Sequence, residues 1–408
     1  TEVRGEFLEK PFSLEGSVVN FAQPEVDARL SWSELSAEAQ MAISSDRVQL
    51  HTVKGRIGSG QFRLFGEIAW PHHLLQPPKA ASPPANGLEG RDQVAGWPQA
   101  NLFAEGTVLA QELPRLWPKW FSEVEKHGAQ GEVSFRGLME GNLKQPEART
   151  ADLKLTSPSF QIQGFQLKQM AVHLKQQGNQ FELASARAQY AEGSLRLSGK
   201  LNLGSEKKSW NARLGMEGVR LEQLASDLKW NARNLAGWLS GEWEGQGEGG
   251  NLAALSGAGD LRIAGAQILE FPLLGDFAGF LGLPSLRKIV FQEAQGTFLL
   301  GQGKIRTKDL QLRSPQATLT ILGEGGFLQG TDSPIHWRIL PTLSPELIPE
   351  ESRSKIGKII AQGASYLIGE VRIMGTWKNP KRKFLSKPVT QILNEQLFNL
   401  QDILREFF

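Results

Sequence analysis

The side chains that could do chemistry here are six histidines, scattered carboxylates and one glycine run. His51, His72, His73, His127, His173 and His336 never form an H-E-x-x-H pair, the spacing that would set two imidazoles on one helix face for zinc. His72-His73 falls in a proline-rich stretch, where a solvated dipeptide is preferred over adventitious metal binding. His173 falls on the polar side of a strand pattern, so no metal site is predicted. The chain has no cysteine, which excludes a disulfide framework and thiolate metal sites. GQGEGG, Gly245 to Gly250, satisfies G-x-G-x-x-G, but no adequate helix follows and Glu242, Glu244 and Glu248 would repel a pyrophosphate. It is read as a turn, within a glycine-rich turn over Gly241 to Gly250. Neither Gly-x-Ser-x-Gly nor a P-loop occurs, and Asp152, Glu182 and Asp309 lie among Lys and Arg on strand faces, as cross-strand charge pairs do. The expectation is a protein that is not an enzyme and uses no cofactor.

The strongest local signal for a contact is at the carboxyl end. Lys378, Lys381, Arg382, Lys383 and Lys387 precede a stripe of Val389, Ile392, Leu393, Leu397, Leu400, Ile403, Leu404 and Phe407, closed by Phe408. The spacing predicts an amphipathic helix over 388–408. Such a helix can settle on an anionic bilayer through its basic flank, or it can cap the last sheet edge. Its own acidic residues, Glu395, Asp402 and Glu406, favour the cap. Eleven tryptophans against two tyrosines include Trp97, Trp117, Trp120 and Trp377 at apparent turns and strand ends, where rim packing is preferred over interfacial anchoring.

Alternation dominates the rest of the chain. From Leu153 to Leu203, the pairs Leu153 and Leu155, Phe160 and Ile162, Val172 and Leu174, Phe181 and Leu183, Leu195 and Leu197, and Leu201 and Leu203 read as one apolar face, while Lys154, Gln161, His173, Glu182 and Arg196 read as the other. Phe298, Ile305, Leu310, Leu312, Leu319 and Ile321 continue the dry side further on. Two segments repeat. Gln23-Pro24-Glu25 before VDARLSW matches Gln145-Pro146-Glu147 before ARTADLKL, and the strand opened by Gly60 matches the one opened by Gly193. Between them, residues 71–99 have a Pro-, Ala- and Gly-rich composition that predicts a loop or linker. Leu221, Leu224, Leu228, Leu235 and Leu239 have helical spacing.

Composition sets the class. The 408 residues include 44 glycines and 40% hydrophobic residues, with a formal net charge of +2, so the chain is β-rich with many turns and has no global field for nucleic acid. The expected organisation is a β-sheet repeat segment at 1–70, the linker at 71–99, a second repeat segment at 100–219, and a carboxy-terminal region at 220–408. No apolar run is long enough to span a bilayer. The chain opens TEVRGEFLEK without an initiator methionine, and the expectation is a fragment or processed form whose amino-terminal anchor lies outside it.

One region has a recognisable order of elements. GAGDLRIAGAQILEF leads into the apolar PLLGDFAGFLGLPSLRKI, followed by GTFLLGQGKIRTKDLQLRS, ATLTILGEGGFL, GEVRIMGTWKNPKRKF and the terminal stripe. Across 221–408 this order resembles the carboxy-terminal region of AsmA-like proteins, the superfamily that includes TamB. Each motif is degenerate, and the order carries the likeness. The resemblance implies an elongated, twisted antiparallel sheet curled into a groove, with a few short helices, projecting into the periplasm of a double-membrane bacterium from an inner-membrane helix. It also implies that phospholipid or another acyl lipid is sheltered on the apolar concave face, with membrane surfaces and an envelope protein as further partners and outer-membrane biogenesis as the process served.

The residues lead to the same expectation independently. The predicted strands present more apolar surface than the few predicted helices can cover, so that face must close on itself or shelter something apolar. A lipid-handling groove is expected, lined by the apolar residues named from Leu153 to Leu203 and from Phe298 to Ile321. The alternative is a structural or assembly scaffold whose β core is filled and which grips a protein partner.

Overall fold

The computed structural model describes residues 2–7, 10–20, 24–32, 35–69, 98–116, 125–143, 145–204, 207–229, 236–268, 290–343, 366–367 and 370–385. The chain is mainly β, and every strand pairing described below is antiparallel. It divides into two compact units, one of residues 1–190 with 195–210 and one of 191–194 with 211–408.

The first unit is a meander. Strands β1 (Glu2–Phe7), β2 (Lys10–Val19), β3 (Glu25–Trp32), β4 (Leu35–Ile43), β5 (Arg47–Ile57), β6 (Gly60–Ala69), β7 (Gln99–Leu109), β8 (Glu132–Asn142), β9 (Arg149–Ile162), β10 (Phe165–Gln177) and β11 (Gln180–Tyr190) each pair with the next in sequence. Because β6 pairs with β7, the segments before and after the expected linker belong to one sheet. The linker, including His72-His73 and Trp97, lies outside the described residues except for its last positions.

The sequence repeats fall on equivalent strands. Glu25 opens β3 and the matching segment runs into β9. Gly60 opens β6, and Gly193 opens β12 (Gly193–Asn202). Each match is therefore offset by six strands, a whole number of hairpins, which preserves strand direction.

A second meander forms the other unit. After β13 (Ser209–Arg220) and helix α2 (Leu221–Asp227) come β14 (Trp238–Glu248), β15 (Ser256–Ile268), β16 (Phe291–Gly301), β17 (Lys304–Arg313), β18 (Ala317–Gly326) and β19 (Pro334–Leu343). From β14 to β19 each pairs with the next, and β19 then pairs with β20 (Tyr366–Leu367) and β21 (Glu370–Thr376), which carries β22 (Pro380–Leu385). The expected strands over 259–264 and 291–327 are present.

Two local expectations are corrected. Among the described residues the helical spacing from Leu221 to Leu239 yields a helix over Leu221–Asp227, ended where Lys229 adopts a left-handed conformation (φ 55°); Leu235 lies outside the described residues and Leu239 belongs to β14. Nor is Gly241 to Gly250 a turn as a whole. Most of it is strand, and only Gly249 (φ 55°) and Gly250 turn the chain. These glycines suit a strand here because neighbours close over them. A side chain on Gly241 would strike the Asp260 carbonyl, and the Trp243 ring lies across Gly245.

Packing in the second unit includes one enclosed charge. Glu370 has no exposed surface and accepts both guanidinium bonds of Arg338, at 2.9 and 3.0 Å, as well as one from Arg372. Arg338 and Arg372 lie directly opposite each other across β19 and β21, so the carboxylate bridges a like-charge pair. Burial pushes its pKa up, but the hydrogen bonds and charges of Arg338 and Arg372 outweigh this and hold it below the ordinary glutamate value. A depressed carboxyl contributes stability above the unfolded pKa of about 4.3, and that contribution is lost as pH falls through the lower folded value. Glu370→Gln is therefore expected to cost about 3–5 kcal/mol at neutral pH. In denaturant melts it should also flatten the stability loss that the unsubstituted protein shows below about pH 4.3.

Candidate functional site

Cross-strand partners in an antiparallel sheet share a face, and this locates every candidate side chain in the first unit. Leu153 faces Leu174, Leu155 faces Val172, and Leu174 faces Leu183. Phe181 stands opposite Gln176 on the same side. Strict alternation would turn Phe160 and Ile162 to the opposite face from Leu155, yet Leu155 and Phe160 pack against one cluster of Ile57, Val108, Ala110 and Val133. The alternation slips once in both strands: Pro158 interrupts β9 beside Gln169 of β10, whose φ is 49°. Phe160 and Leu167, and Ile162 and Phe165, thereby rejoin the apolar side, where Phe165 packs on the buried Tyr190 at 5.5 Å.

That face is wider than the sequence reading made it. Following the registers back from Leu155 gives Phe135, Gly106, Phe62, Gly55, Ala37, Leu30 and Leu14, an unbroken apolar row from β9 to β2. The alternation of VDARLSW and QFRLFGEI carried this signal. His51 is an extra residue in β5 that keeps Leu50 and Val53 on the same side despite their odd separation. Among the described residues, helix α1 (Leu113–Leu116) meets the face at one end, through Leu113. Elsewhere much of it stays open to solvent: Leu174 is 36% exposed, Phe181 and Leu14 37%, and Val18 more so. In β12, Leu195, Leu197 and Leu201 share strand parity, and Leu203 follows just past its end; of these Leu197, Leu201 and Leu203 are exposed.

The opposite face of the first unit is charged. Arg29 pairs with Glu38 (3.2 Å), Arg136 with Glu105 (3.1 Å), Arg47 with Glu67 (3.5 Å) and His173 with Asp152 (2.9 Å). The expected cross-strand use of Asp152 is present, as is the polar placement of His173. Exposed pairs of this kind add little stability, but a register slip would force them into the apolar side.

In the second unit, Phe298 covers Gly259, Leu300 faces Ile305, Leu310 faces Ile321, and Leu312 faces Leu319. All six candidates share a face, although Ile305 and Leu310 differ in parity. An extra residue in β17 restores the side, and Asp309 fixes it by accepting from the Thr297 N–H (2.8 Å) and hydroxyl (2.9 Å). Asp309 thus serves a bulge and not the cross-strand charge pair expected of it. This face is sealed around Leu319 (2% exposed), where Leu312, Ile339 and Val371 are also buried.

The basic contact residues are not one cluster. Lys381, Arg382 and Lys383 lie in β22, where alternation puts Arg382 opposite Ile373, on the apolar side, and Lys381 and Lys383 opposite Met374 and Arg372 on the other. A strand, with its period of two, divides what a helix would have gathered. Lys387, Ile392, Leu397, Leu400, Leu404, Phe407 and Phe408, with the whole expected helix 388–408, lie outside the described residues, as do Pro272 to Lys288, Trp117 and Trp120. Trp377 packs as a rim residue, donating to the Gly326 carbonyl at 2.8 Å and meeting Trp337 at 6.1 Å.

Among the described residues no group of three or more His, Asp or Glu side chains is placed to hold a metal ion, and no helix is long and apolar enough to cross a membrane. No family model, curated protein or solved structure matches the chain.

The shared face of Leu155 and Phe160 is testable by a double-mutant cycle. Leu155→Ala and Phe160→Ala should couple by more than about 0.5 kcal/mol in urea melts, whereas side chains on opposite faces would add within about that error.

Proposed function

We propose that the chain is a non-enzymatic lipid-handling protein that shelters acyl chains against its apolar sheet face. The observation that supports this reading is the continuity of that face in the first unit: one apolar side runs through consecutive strands from β2 to β11 for about 43 Å and keeps large side chains half open to solvent. Water disfavours such a surface, and a hydrocarbon guest removes the penalty without any directional bond. Two chains of about sixteen carbons cost on the order of 25 kcal/mol in water, at about 0.8 kcal/mol per methylene. A lining of Leu, Val, Ile and Phe recovers most of that and holds no single position, so a guest can slide. The open lining is Leu153, Leu155, Phe160, Leu174, Phe181 and their row partners. Curling of the sheet into a groove belongs to this proposal. So do phospholipid as cargo, a periplasmic location with an inner-membrane tether, and a role in outer-membrane biogenesis, which rest on the resemblance to AsmA-like proteins.

A scaffold reading has one observation in its favour, the sealed side chains around Leu319 and Ile339 in the second unit. Native mass spectrometry of gently extracted protein separates the two, because a scaffold carries no lipid. Leu174→Asp with Leu197→Asp alters two exposed positions, so the sheet should persist by circular dichroism while copurifying or photocrosslinked phospholipid is lost. Unchanged lipid recovery would overturn the lipid reading.

A further inference from the structure

The charged face of the first unit contains a recess of about 1020 Å³ that crosses β3 to β9, about 29 Å at 4.8 Å per strand. Its walls are two rows of side chains. One runs Arg29, Glu38, Lys54, Arg63, Glu105, Arg136 and Lys154 through successive direct partners. The other is mostly hydroxyls and amide, with Arg56 as its one charge. Six cations face two carboxylates in a chain whose entire net charge is +2.

Both carboxylates are already engaged, Glu38 by Arg29 and Glu105 by Arg136. Lys54, Arg56 and Arg63 have no ion-pair or hydrogen-bond partner among the described residues. Lys54 and Arg63 are nevertheless directly opposed, with Arg56 two residues from Lys54 on the same side. Like charges directly opposite destabilise a sheet. Where the second unit opposes Arg338 and Arg372, it supplies Glu370 between them. Glu38 and Glu105 are the outer strand partners of Lys54 and Arg63 but are ion-paired to Arg29 and Arg136, and no described residue bridges Lys54 to Arg63, so this exposed pair offers a place for an anionic group of another molecule.

A second feature lies in the next row of the same face. Phe65, Phe103 and Leu138 are direct partners across β6, β7 and β8, and Phe65 and Leu138 are exposed on an otherwise polar surface. The two rings meet at 4.7 Å with only 30° between their planes, and the Arg136 guanidinium lies 6.0 Å from the Phe103 ring. The two rings lie side by side across the strands and, with Leu138, form an apolar ridge beside the charged row. A recess fits a planar bilayer surface poorly.

We propose that the polar face of β5 to β8 docks an acidic peptide segment of a protein partner, with carboxylates on Lys54, Arg56 and Arg63 and an apolar side chain on the ridge of Phe65, Phe103 and Leu138. Arginine and aromatic side chains, both present here, are enriched in protein interfaces. Docking here is independent of lipid binding, because it uses the other side of the sheet.

The test uses the full chain and a fluorescent peptide of about nine residues, glutamates interrupted by leucines, which spans the recess when extended. Anisotropy should report binding that weakens with added salt. Lys54→Glu with Arg63→Glu, and separately Phe65→Ser with Leu138→Ser, should each weaken it by about tenfold or more. Absence of binding, or binding indifferent to both pairs, overturns the proposal. So does equal, equally sensitive binding of oligothymidylate or of vesicles rich in anionic phospholipid. A second measurement guards against misfolded variants: Lys54→Gln and Arg63→Gln should each raise the melting temperature at low salt, with the gain vanishing at high salt. A lower melting temperature would mean that the pair is already compensated within the chain, and the proposal would fail.

Discussion

Sidedness is the constraint on which this molecule depends. Each strand places alternate side chains on opposite surfaces, so one uncorrected extra residue would turn all later apolar groups into water and bring charges against the dry face. The chain contains several such extra residues and corrects each. His51 is absorbed in β5, Pro158 and Gln169 slip together in β9 and β10, and Asp309 anchors the bulge of β17. In each case the apolar groups on either side of the irregularity stay on one surface. Bulges also increase local twist and bend the strand that carries them, so the devices that preserve sidedness also shape the sheet.

The two faces follow opposite physical rules. On the dry side, glycines sit under aromatic rings, as Gly55 does under Phe62 and Gly259 under Phe298, so ring area replaces the missing side chain and the backbone stays covered. On the wet side, charge is arranged pair by pair, and the pairs serve register more than stability. At Glu370 charge is drawn wholly inside, and at Glu324 partly. Glu324 is held by Lys304 at 2.6 Å and Arg306 at 3.0 Å, and although burial opposes ionisation, these partners keep its pKa below the ordinary value. Both acids bridge neighbouring cations, whereas among the described residues no carboxylate bridges Lys54 to Arg63, whose row neighbours Glu38 and Glu105 are ion-paired to Arg29 and Arg136.

Much of the fold was legible because period-two patterning survives in single sequences. The strands around Leu153 to Leu203 and Phe291 to Phe327, the polar setting of His173 and the duplicated segments could all be read directly, whereas the six-strand offset between the duplicates came from the structure. What could not be read was parity across irregularities. Leu155 with Phe160, and Ile305 with Leu310, were assigned to one face from their apolarity, but the residue lost from the count between them, on which that shared face depends, was not visible, because composition does not announce a bulge. Glycine misled in the other direction: around Gly241 and Gly245 it suggested a turn, whereas tertiary neighbours had claimed the space a side chain would need. The basic residues near Lys381 were visible as a group, but strand geometry separates them. The apolar row of β2 to β8 was present in quoted segments and became a site only when register joined it to Leu155.

In both meanders each strand hydrogen-bonds chiefly to its immediate neighbours in the chain, most of them joined by tight hairpins. Contacts of short sequence separation lower the entropy of loop closure and favour rapid formation. Such a sheet can zip up from whichever hairpin forms first, and damage to one hairpin is felt mainly by the two strands beside it. Lengthening is equally permissive, since inserting an even number of strands preserves direction and sidedness together. The duplicated segments suit a molecule whose reach evolution can adjust in steps of one hairpin.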